Sequence, residues 1–266
     1  MNSQLPTRTI NKVWGRQPLP APFGVDGQSE PIGEIWFEPD ECLPDVLVKY
    51  LFTSDKLSVQ VHPPASASPT GRGKEECWLV LEADPGAKLA LGFREPVSRE
   101  EMHSAALDGT IENLLDWYEA MPGDFFYIPA GTVHAIGGGL TLIEVQENTD
   151  ITYRFFDYGR PRDLHLDQAL AVAIGDSHPS EWRRRIEAEE QVVLVDGPRF
   201  VLAQVFGNPS AQIIEKLGGA IQIMPLSGSA AVAGREIQPG ASACAQSIED
   251  VSFSADARCL IVSSMM

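Results

Sequence analysis

The sequence predicts an all-β protein of the jelly-roll type, and two observations carry the prediction. Short runs of alternating or β-branched residues recur along its first half, and Pro-Gly or Gly-rich turns separate them. The turns fall at 85–86, 122–123 and 137–139. The predicted strands are 32–37, 46–52, 58–62, 76–82, 88–91, 125–128 and 141–146.

Helices are expected to be few and short. Ser98 and Glu101 have the spacing of a capping box, and Thr110 opens a second helical stretch whose apolar face is Leu114, Leu115 and Trp117. These two helices form a short insertion at about 98–120. Further along, 164–174 has helical spacing, and 180–190 is charged enough to be an exposed helix or a linker.

The chain divides into three predicted parts: a domain over 1–162, a helical connector over 163–191 and a C-terminal β domain over 192–266. The last part has a turn at 234–240 that resembles the earlier Pro-Gly turns, which suggests a second, degenerate jelly roll. It contains no histidine. We therefore expect it to be structural, as a cover or an oligomer contact, for instance in a homodimer.

Composition excludes several classes of function. The 266 residues carry a net charge of −17, which argues against binding to nucleic acid or to an anionic membrane. No run approaches the roughly 18 apolar residues of a membrane span, and the N-terminus has no apolar signal region. The four cysteines lack Cys-x-x-Cys spacing, so a soluble cytoplasmic protein without disulfides is expected.

Polar side chains interrupt the apolar pattern of the predicted strands. Because a strand has a period of two, Ser58, Gln60 and His62 leave the same face, and so do Lys74 and Glu76. Burying such groups is unfavourable unless something satisfies them, and a divalent cation does so with fixed geometry.

Four motifs in order give these residues a family resemblance. Positions 123–134 fit the second cupin motif, with the glycine, Pro-x-Gly and His134 in place, while the usual His-x-His of the first motif is Gln60-Val-His62. The chain resembles the short bacterial form of type I mannose-6-phosphate isomerase. The motifs are Leu-Ser-Val-Gln-Val-His-Pro at 57–63, Gly-Lys-x-Glu-Cys-Trp at 73–78, Pro-Ala-Gly-Thr-Val-His at 129–134 and Val-Gln-Glu-Asn-Thr-Asp-Ile-Thr-Tyr-Arg at 145–154.

The resemblance implies a cupin barrel in the first domain that binds one divalent metal ion. The implied ligands are Gln60, His62, Glu76 and His134. Zinc is favoured by this donor set, with manganese, cobalt and iron left open. Four protein ligands would close a tetrahedral site, so Gln60 is expected to be a weak ligand, or the ion to take further ligands. His103, His165 and His178 lie outside the motifs and are expected at the surface.

The implied reaction is the interconversion of mannose 6-phosphate and fructose 6-phosphate, with a phosphorylated hexose as the partner. Arg154 matches the catalytic arginine of the family, and Glu144 and Lys74 are candidates for proton transfer. Lys74, Arg154 and Ser58 are candidates for substrate binding. Each also has a simpler interpretation, as a surface charge, a salt-bridge partner or a strand residue.

Two other functions stay open on the sequence alone. A metal-dependent cupin dioxygenase would share the barrel and the ligands but gives no reason for Lys74 or Arg154. A non-catalytic sugar-phosphate-binding protein would keep the metal scaffold without turnover.

Overall fold

The strands of the first half follow the sequence prediction. In the computed structural model, which describes residues 3–24 and 28–265, all seven predicted strands are present and five more accompany them. They are β1 (Ser3–Gln4), β2 (Thr7–Arg16), β3 (Ile32–Phe37), β4 (Val46–Phe52), β5 (Val59–Val61), β6 (Glu76–Ala83), β7 (Lys88–Phe93), β8 (Leu115–Glu119), β9 (Asp124–Ile128), β10 (His134–Ile136), β11 (Leu140–Glu147) and β12 (Tyr153–Phe156).

The predicted capping box is confirmed at the first helix, α1 (Arg99–Asp108). The Ser98 Oγ accepts a hydrogen bond from the Glu101 N–H at 3.2 Å, and Glu101 Oε2 accepts one from the Ser98 N–H at 2.8 Å. The second helix, α2 (Ile111–Leu114), is shorter than expected. Trp117 lies on β8, because pairing with β7 satisfies the backbone there.

The connector is only partly helical. Its helix is α3 (Leu166–Val172), inside the predicted 164–174. The exposed helix considered for 180–190 is wrong, since a 3₁₀ turn over Ser180–Trp182 leads into β13 (Arg183–Arg185), while the alternative of an exposed linker stays a prediction. This strand pairs antiparallel with β9, whose edge would otherwise lack backbone partners.

The C-terminal block is β-rich, as predicted. It contains β14 (Val192–Asp196), β15 (Phe200–Phe206), α4 (Ala211–Lys216), β16 (Ile221–Ser227), β17 (Ala230–Val232), β18 (Arg235–Ile237), β19 (Ala243–Ala245), β20 (Val251–Phe253) and β21 (Arg258–Ser264). The all-β prediction is thereby confirmed.

Two antiparallel sheets form the first jelly roll. One has seven strands in the order β13-β9-β6-β11-β4-β3-β2, and the other has five in the order β12-β5-β10-β7-β8. Their facing sides enclose a buried apolar cluster that includes Trp78, Leu142 and Leu91. On its outer side the five-stranded sheet is covered by α1 and α3, which contribute Met102 and Ala169.

The second β block packs on the outer side of the seven-stranded sheet. Its sheets have the orders β1-β19-β16-β21-β15-β14 and β18-β17-β20, and they enclose a core of their own. The six-stranded sheet shares a second core with the seven-stranded sheet, in which Phe200 and Leu260 meet Tyr50 and Leu79. Strand β1 joins the sheet of the C-terminal block through β19, so the two halves are tied at the N-terminus.

The three-part division of the chain stays a prediction, and its outer limits at residues 1 and 266 lie outside the described residues. No helix within 3–24 and 28–265 is both long enough and apolar enough to cross a membrane.

The core shared by the two halves should dominate their stability. Phe200 is fully buried there, so we expect Phe200→Ala to lower the free energy of unfolding by about 3–5 kcal/mol through lost burial and an unfilled cavity. Urea denaturation measures the change. The control is Leu107→Ala, whose side chain is 66% exposed and should shift stability by about 0.5 kcal/mol or less. Equal effects of the two variants would contradict a tightly packed shared core.

Candidate metal centre

Strand β5 places its polar residues inside the barrel. Val59 and Val61 pack outward in the apolar cluster beneath the helices, so the alternate residues Ser58, Gln60 and His62 face inward. Ser58 and His62 are buried and Gln60 is half-buried. The shared face predicted from the strand period is therefore present.

Three metal-ligating side chains from three strand segments converge on this face. His134 is the register partner of Gln60 across β10 and β5, and Glu76 begins β6 on the facing sheet. Glu76 lies 3.3 Å from His62 Nε2 through Oε2 and 3.5 Å from His134 Nε2 through Oε1. One ligand atom from each residue lies within 4.8 Å of the others, and all three residues are buried.

Both imidazoles present the same nitrogen to the cluster. The Nδ1 of His62 is 2.9 Å from the Ile151 carbonyl, and that of His134 is 2.8 Å from the Thr132 carbonyl. Because a carbonyl only accepts, each Nδ1 carries the proton and donates it. Each Nε2 is then left with a lone pair that points to the centre, the arrangement that orients histidine ligands in metal sites.

The charge states also suit a cation. Burial, reinforced by Lys74, lowers the pKa of His62 to about 3, and burial lowers the pKa of His134, so both rings are neutral. Burial works against ionisation of Glu76, yet the Lys74 ammonium holds its pKa well below its ordinary value. The centre thus offers two neutral imidazoles and one carboxylate.

These residues fit a divalent ion. Neither carboxylate oxygen of Glu76 has a hydrogen-bond partner among the described residues, although both are fully buried. Among the residues that the structure describes, the Lys74 ammonium, 3.1 Å from Oε2, is the one cation that compensates the charge. Buried carboxylates without partners are costly, and a cation held with His62 and His134 would remove that cost.

Gln60 lies beside the cluster as predicted, but its amide is turned. Its Nε2 is 3.2 Å from His134 Nε2, while Oε1 accepts a hydrogen bond from the Ser58 hydroxyl at 3.0 Å. A metal ligand would have to present Oε1, and a rotation of the amide by half a turn does this while Nε2 then donates to Ser58. Gln60 stays a predicted ligand.

Lys74 is buried at the centre rather than solvated. Its Nζ lies 3.0 Å from His62 Nε2, 3.1 Å from Glu76 Oε2 and 4.0 Å from Glu144 Oε1. Most lysines are exposed, so this placement is unusual. The ammonium lies next to the space that the ligands surround, as the sequence pattern suggested.

Glu144 is held by partners that the sequence analysis missed. Its Oε1 is 2.7 Å from the Lys49 ammonium, and its Oε2 accepts a hydrogen bond from the Trp78 indole at 2.9 Å. Burial and the Glu76 carboxylate raise the pKa of Glu144, while Lys49 and Lys74 oppose the rise. Glu144 is therefore a salt-bridge partner that lies close to the centre, and its part in proton transfer stays a prediction.

The missed residue Lys49 had a signal in the sequence. It interrupts an otherwise apolar run, Val-Leu-Val-Lys-Tyr-Leu-Phe, in which every residue is buried. Register pairing places it opposite both Glu144 and Trp36. A lysine in a fully buried strand requires a buried carboxylate, and Glu34, at 4.0 Å, is its second one.

Arg154 lies on the same face of the five-stranded sheet as the ligands. It is paired in register with Gln60, which is itself opposite His134, and residues directly opposite across strands project to the same side. The side chain is half-buried, and its Nε is buried without a hydrogen-bond partner in the described part of the chain. No described hydrogen bond or ion pair joins it to His62, Glu76 or His134.

The other histidines divide between surface and core. His103 is exposed, and His165 is half-buried with its Nδ1 3.3 Å from the Arg154 N–H. The surface expectation is wrong for His178, which is 5% exposed and hydrogen-bonds through Nε2 to the Tyr127 carbonyl at 2.8 Å. It packs against Trp182 under the turn that leads to β13.

Comparison with known proteins gives the fold and the family. No family model matches the chain. Mannose-6-phosphate isomerase from Bacillus subtilis resembles it in crystal structure with a TM-score of 0.74 at 21% identity, over 98% of this chain and 99% of that one. Phosphomannose isomerase from Salmonella typhimurium, in a variant form, superposes with a TM-score of 0.70 at 15% identity over the whole of both chains. These likenesses confirm the predicted cupin-type fold.

Sequence relatives extend the result beyond the fold. A mannose-6-phosphate isomerase from Streptococcus mutans is 33% identical over 254 residues, covering 78% of this chain and 80% of the relative. A second one, from Bacillus subtilis, is 39% identical over 137 residues, which are 48% of this chain and 43% of that protein. Because the Streptococcus mutans relative is 33% identical over most of its own length and of this chain, the chain belongs to the mannose-6-phosphate isomerase family.

Proposed function

We propose that this protein is a metal-dependent aldose-ketose isomerase that interconverts mannose 6-phosphate and fructose 6-phosphate. The observation that carries the proposal is the buried group of His62, Glu76 and His134, with the Lys74 ammonium and the Glu144 carboxylate beside it. Family membership supplies the substrate, and the site supplies the groups that proton transfer next to a carbonyl requires.

The resident cofactor is proposed to be one zinc ion. His62, Glu76 and His134 would hold it, with Gln60 as a fourth and weaker ligand after its amide has turned. When bound, the ion supplies positive charge that stabilises negative charge developing on the sugar oxygens. The two imidazoles and the carboxylate suit zinc best among common divalent ions.

Glu144 is the proposed general base. The pKa of Glu144 is raised, so it lies closer to neutral pH than the pKa of an ordinary glutamate. A base that moves a proton between C2 and C1 of the sugar requires such a pKa. The Lys49 ammonium lies 2.7 Å from one carboxylate oxygen of Glu144, and the Trp78 indole donates a hydrogen bond to the other. This double anchoring keeps Glu144 in one position on the barrel wall.

Lys74 is proposed to act on the sugar oxygens at the reacting carbons. Lys74 is 5% exposed, and its ammonium contacts Glu76 and His62. It therefore lies deeper in the barrel than a phosphate-binding residue at the mouth would. Ser58 is also buried, and its hydroxyl donates to Gln60. These contacts favour a role near the centre for both residues over a contact with the distant phosphate.

Arg154 is proposed to bind the substrate at the barrel mouth and to stabilise the negative charge that develops on it during proton transfer. Gln60 and Arg154 are the half-buried members of the polar face, whereas Ser58, His62 and His134 are buried. The substrate therefore approaches past Arg154, whose buried Nε lacks an acceptor among the described residues. An anionic oxygen of the substrate would satisfy it and hold the open-chain sugar over Glu144 and Lys74.

The direct test is a coupled assay of fructose 6-phosphate formation from mannose 6-phosphate. We expect turnover with the purified protein, loss of turnover after chelator treatment, and recovery when zinc is returned. His134→Ala should lose both bound zinc and activity. An oxygen electrode run alongside should register no consumption. Oxygen uptake without sugar isomerisation would instead indicate a cupin dioxygenase.

Arg154 separates an enzyme from a binding protein. We expect Arg154→Ala to lower kcat/KM by about a hundredfold or more, the effect of removing a donor that stabilises developing charge. The control is Arg185→Ala, since Arg185 is exposed and pairs with Asp124 far from the centre. If Arg154→Ala changed the affinity for the substrate but not the rate at saturation, a role of Arg154 in turnover would be contradicted.

The ion pair with Lys49 should influence the pKa of Glu144, the proposed base. A buried carboxylate that loses a cationic partner has a higher pKa, so more of Glu144 is protonated at a given pH. We therefore expect Lys49→Met to move the acidic limb of the pH profile of kcat to higher pH. Lys49→Arg should restore it, and Lys56→Met, at a pair outside the barrel with Glu112, should not move it. A uniform loss of rate at every pH in a folded Lys49→Met protein would contradict this role.

A further inference from the structure

A second group of metal-ligating side chains lies away from the barrel interior. A carboxylate oxygen of Asp40 and the sulfurs of Cys42 and Cys244 all lie within 4.8 Å of one another. Asp40 and Cys42 belong to the connection between β3 and β4, while Cys244 is on β19 of the C-terminal sheet. The group therefore bridges the two halves of the molecule, at the margin of the core that they share.

The spacing of these atoms is close to that of a coordination shell. Zinc binds thiolate sulfur at about 2.3 Å and carboxylate oxygen at about 2.0 Å, so neighbouring ligand atoms in a tetrahedron are about 3.3–3.8 Å apart. The three atoms lie within 4.8 Å of one another, which exceeds the tetrahedral spacing by about 1.5 Å at most. Small side-chain rotations would thus complete the shell without moving strands.

Local hydrogen bonds already orient the carboxylate. The Cys42 N–H donates to Asp40 Oδ1 at 3.0 Å, and the Leu43 N–H donates to the Asp40 carbonyl at 3.0 Å. Because the Cys42 N–H donates its hydrogen bond to Oδ1, the second carboxylate oxygen of Asp40 is available to a cation.

Solution ions can reach the group from one side. Asp40 lines an open cavity of about 390 Å³ together with Glu38 and Glu41. Arg8 lines the same cavity and pairs with Glu38 at 3.1 Å, so the negative potential that attracts cations there comes from Asp40 and Glu41. Cys244 closes the other side, being 1% exposed within the shared core.

We propose that Asp40, Cys42 and Cys244 form a second divalent-cation site, selective for a thiophilic ion such as zinc. Water from the adjoining cavity would complete a four-coordinate shell. Coordination as thiolates releases one proton from each cysteine. The bound ion would tie the β3–β4 connection to the C-terminal sheet, so its effect should be on stability, whereas the barrel centre governs turnover.

Cobalt titration of the reduced protein separates the two sites. Only a site with sulfur ligands gives a thiolate-to-cobalt charge-transfer band, and the proposed barrel ligands include no sulfur. We expect the band in the unaltered protein and in His134→Ala, and its loss in Cys42→Ala and in Cys244→Ala. Asp40→Asn should shift the titration midpoint to higher cobalt concentration. Two matched controls, Cys259→Ala at a buried cysteine outside the group and Glu41→Gln at the neighbouring carboxylate, should keep the band, and Cys259→Ala should also keep the midpoint.

Thermal unfolding gives a second readout with zinc itself. Added zinc should raise the unfolding temperature of His134→Ala, and Cys42→Ala in that background should lose the rise. Absence of the cobalt band from the reduced protein, or its persistence in both cysteine variants, would overturn the proposal. Peptide mapping of protein purified without reductant is a further check. A disulfide between Cys42 and Cys244 in that protein would also overturn the proposal.

Discussion

The structure depends on neutralising charges that two facing sheets bury together. Lys49, Lys74, Glu76 and Glu144 all lie on the inner side of the barrel, and each is at most 6% exposed. An unpaired charge in such a place costs several kcal/mol, so each ammonium must lie against a carboxylate. The strand period and the register of β4, β6 and β11 achieve this, because Lys49 is directly opposite Glu144 and Glu144 is opposite Trp78. A shift of one residue in any of the three strands would turn its charged side chain into the shared core.

The layered arrangement explains why that register is secure. The seven-stranded sheet is buried on both sides, by the five-stranded sheet and its helices on one side and by the C-terminal block on the other. Along β4 the side chains of Val48, Tyr50 and Phe52 pack in the core shared with the C-terminal block, while Lys49 and Leu51 face the barrel. The C-terminal block, which lacks histidine, thus contributes to the centre indirectly. It fixes the strands that carry the charged residues.

Sequence reasoning succeeded where the determinant is local. The common face of Ser58, Gln60 and His62 needs only a strand period of two, and the capping box at Ser98 needs only two residues three apart. It failed where distant segments decide. The Lys49–Glu144 pair requires the register of two strands separated by almost a hundred residues, and the meeting of Cys42 with Cys244 requires the packing of two β blocks. The segment with three arginines at 183–185 was misread because a charged edge strand has the composition of an exposed helix.

The charge balance of the barrel also explains how an acidic protein can accept an anionic sugar. With both imidazoles neutral, the ammonium groups of Lys49 and Lys74 offset the carboxylates of Glu76 and Glu144. A third buried carboxylate, Glu34, lies 3.3 Å from the Lys12 ammonium, so the inner face is close to neutral. A divalent ion in the proposed site would make it cationic, with Arg154 adding to the positive potential at the mouth. The surrounding net charge of −17 repels anions at long range, but salt screens that repulsion beyond about 10 Å. With that ion bound, a positive potential confined to a buried, poorly screened interior would decide where a phosphorylated sugar binds, and the same potential would stabilise negative charge that develops during proton transfer.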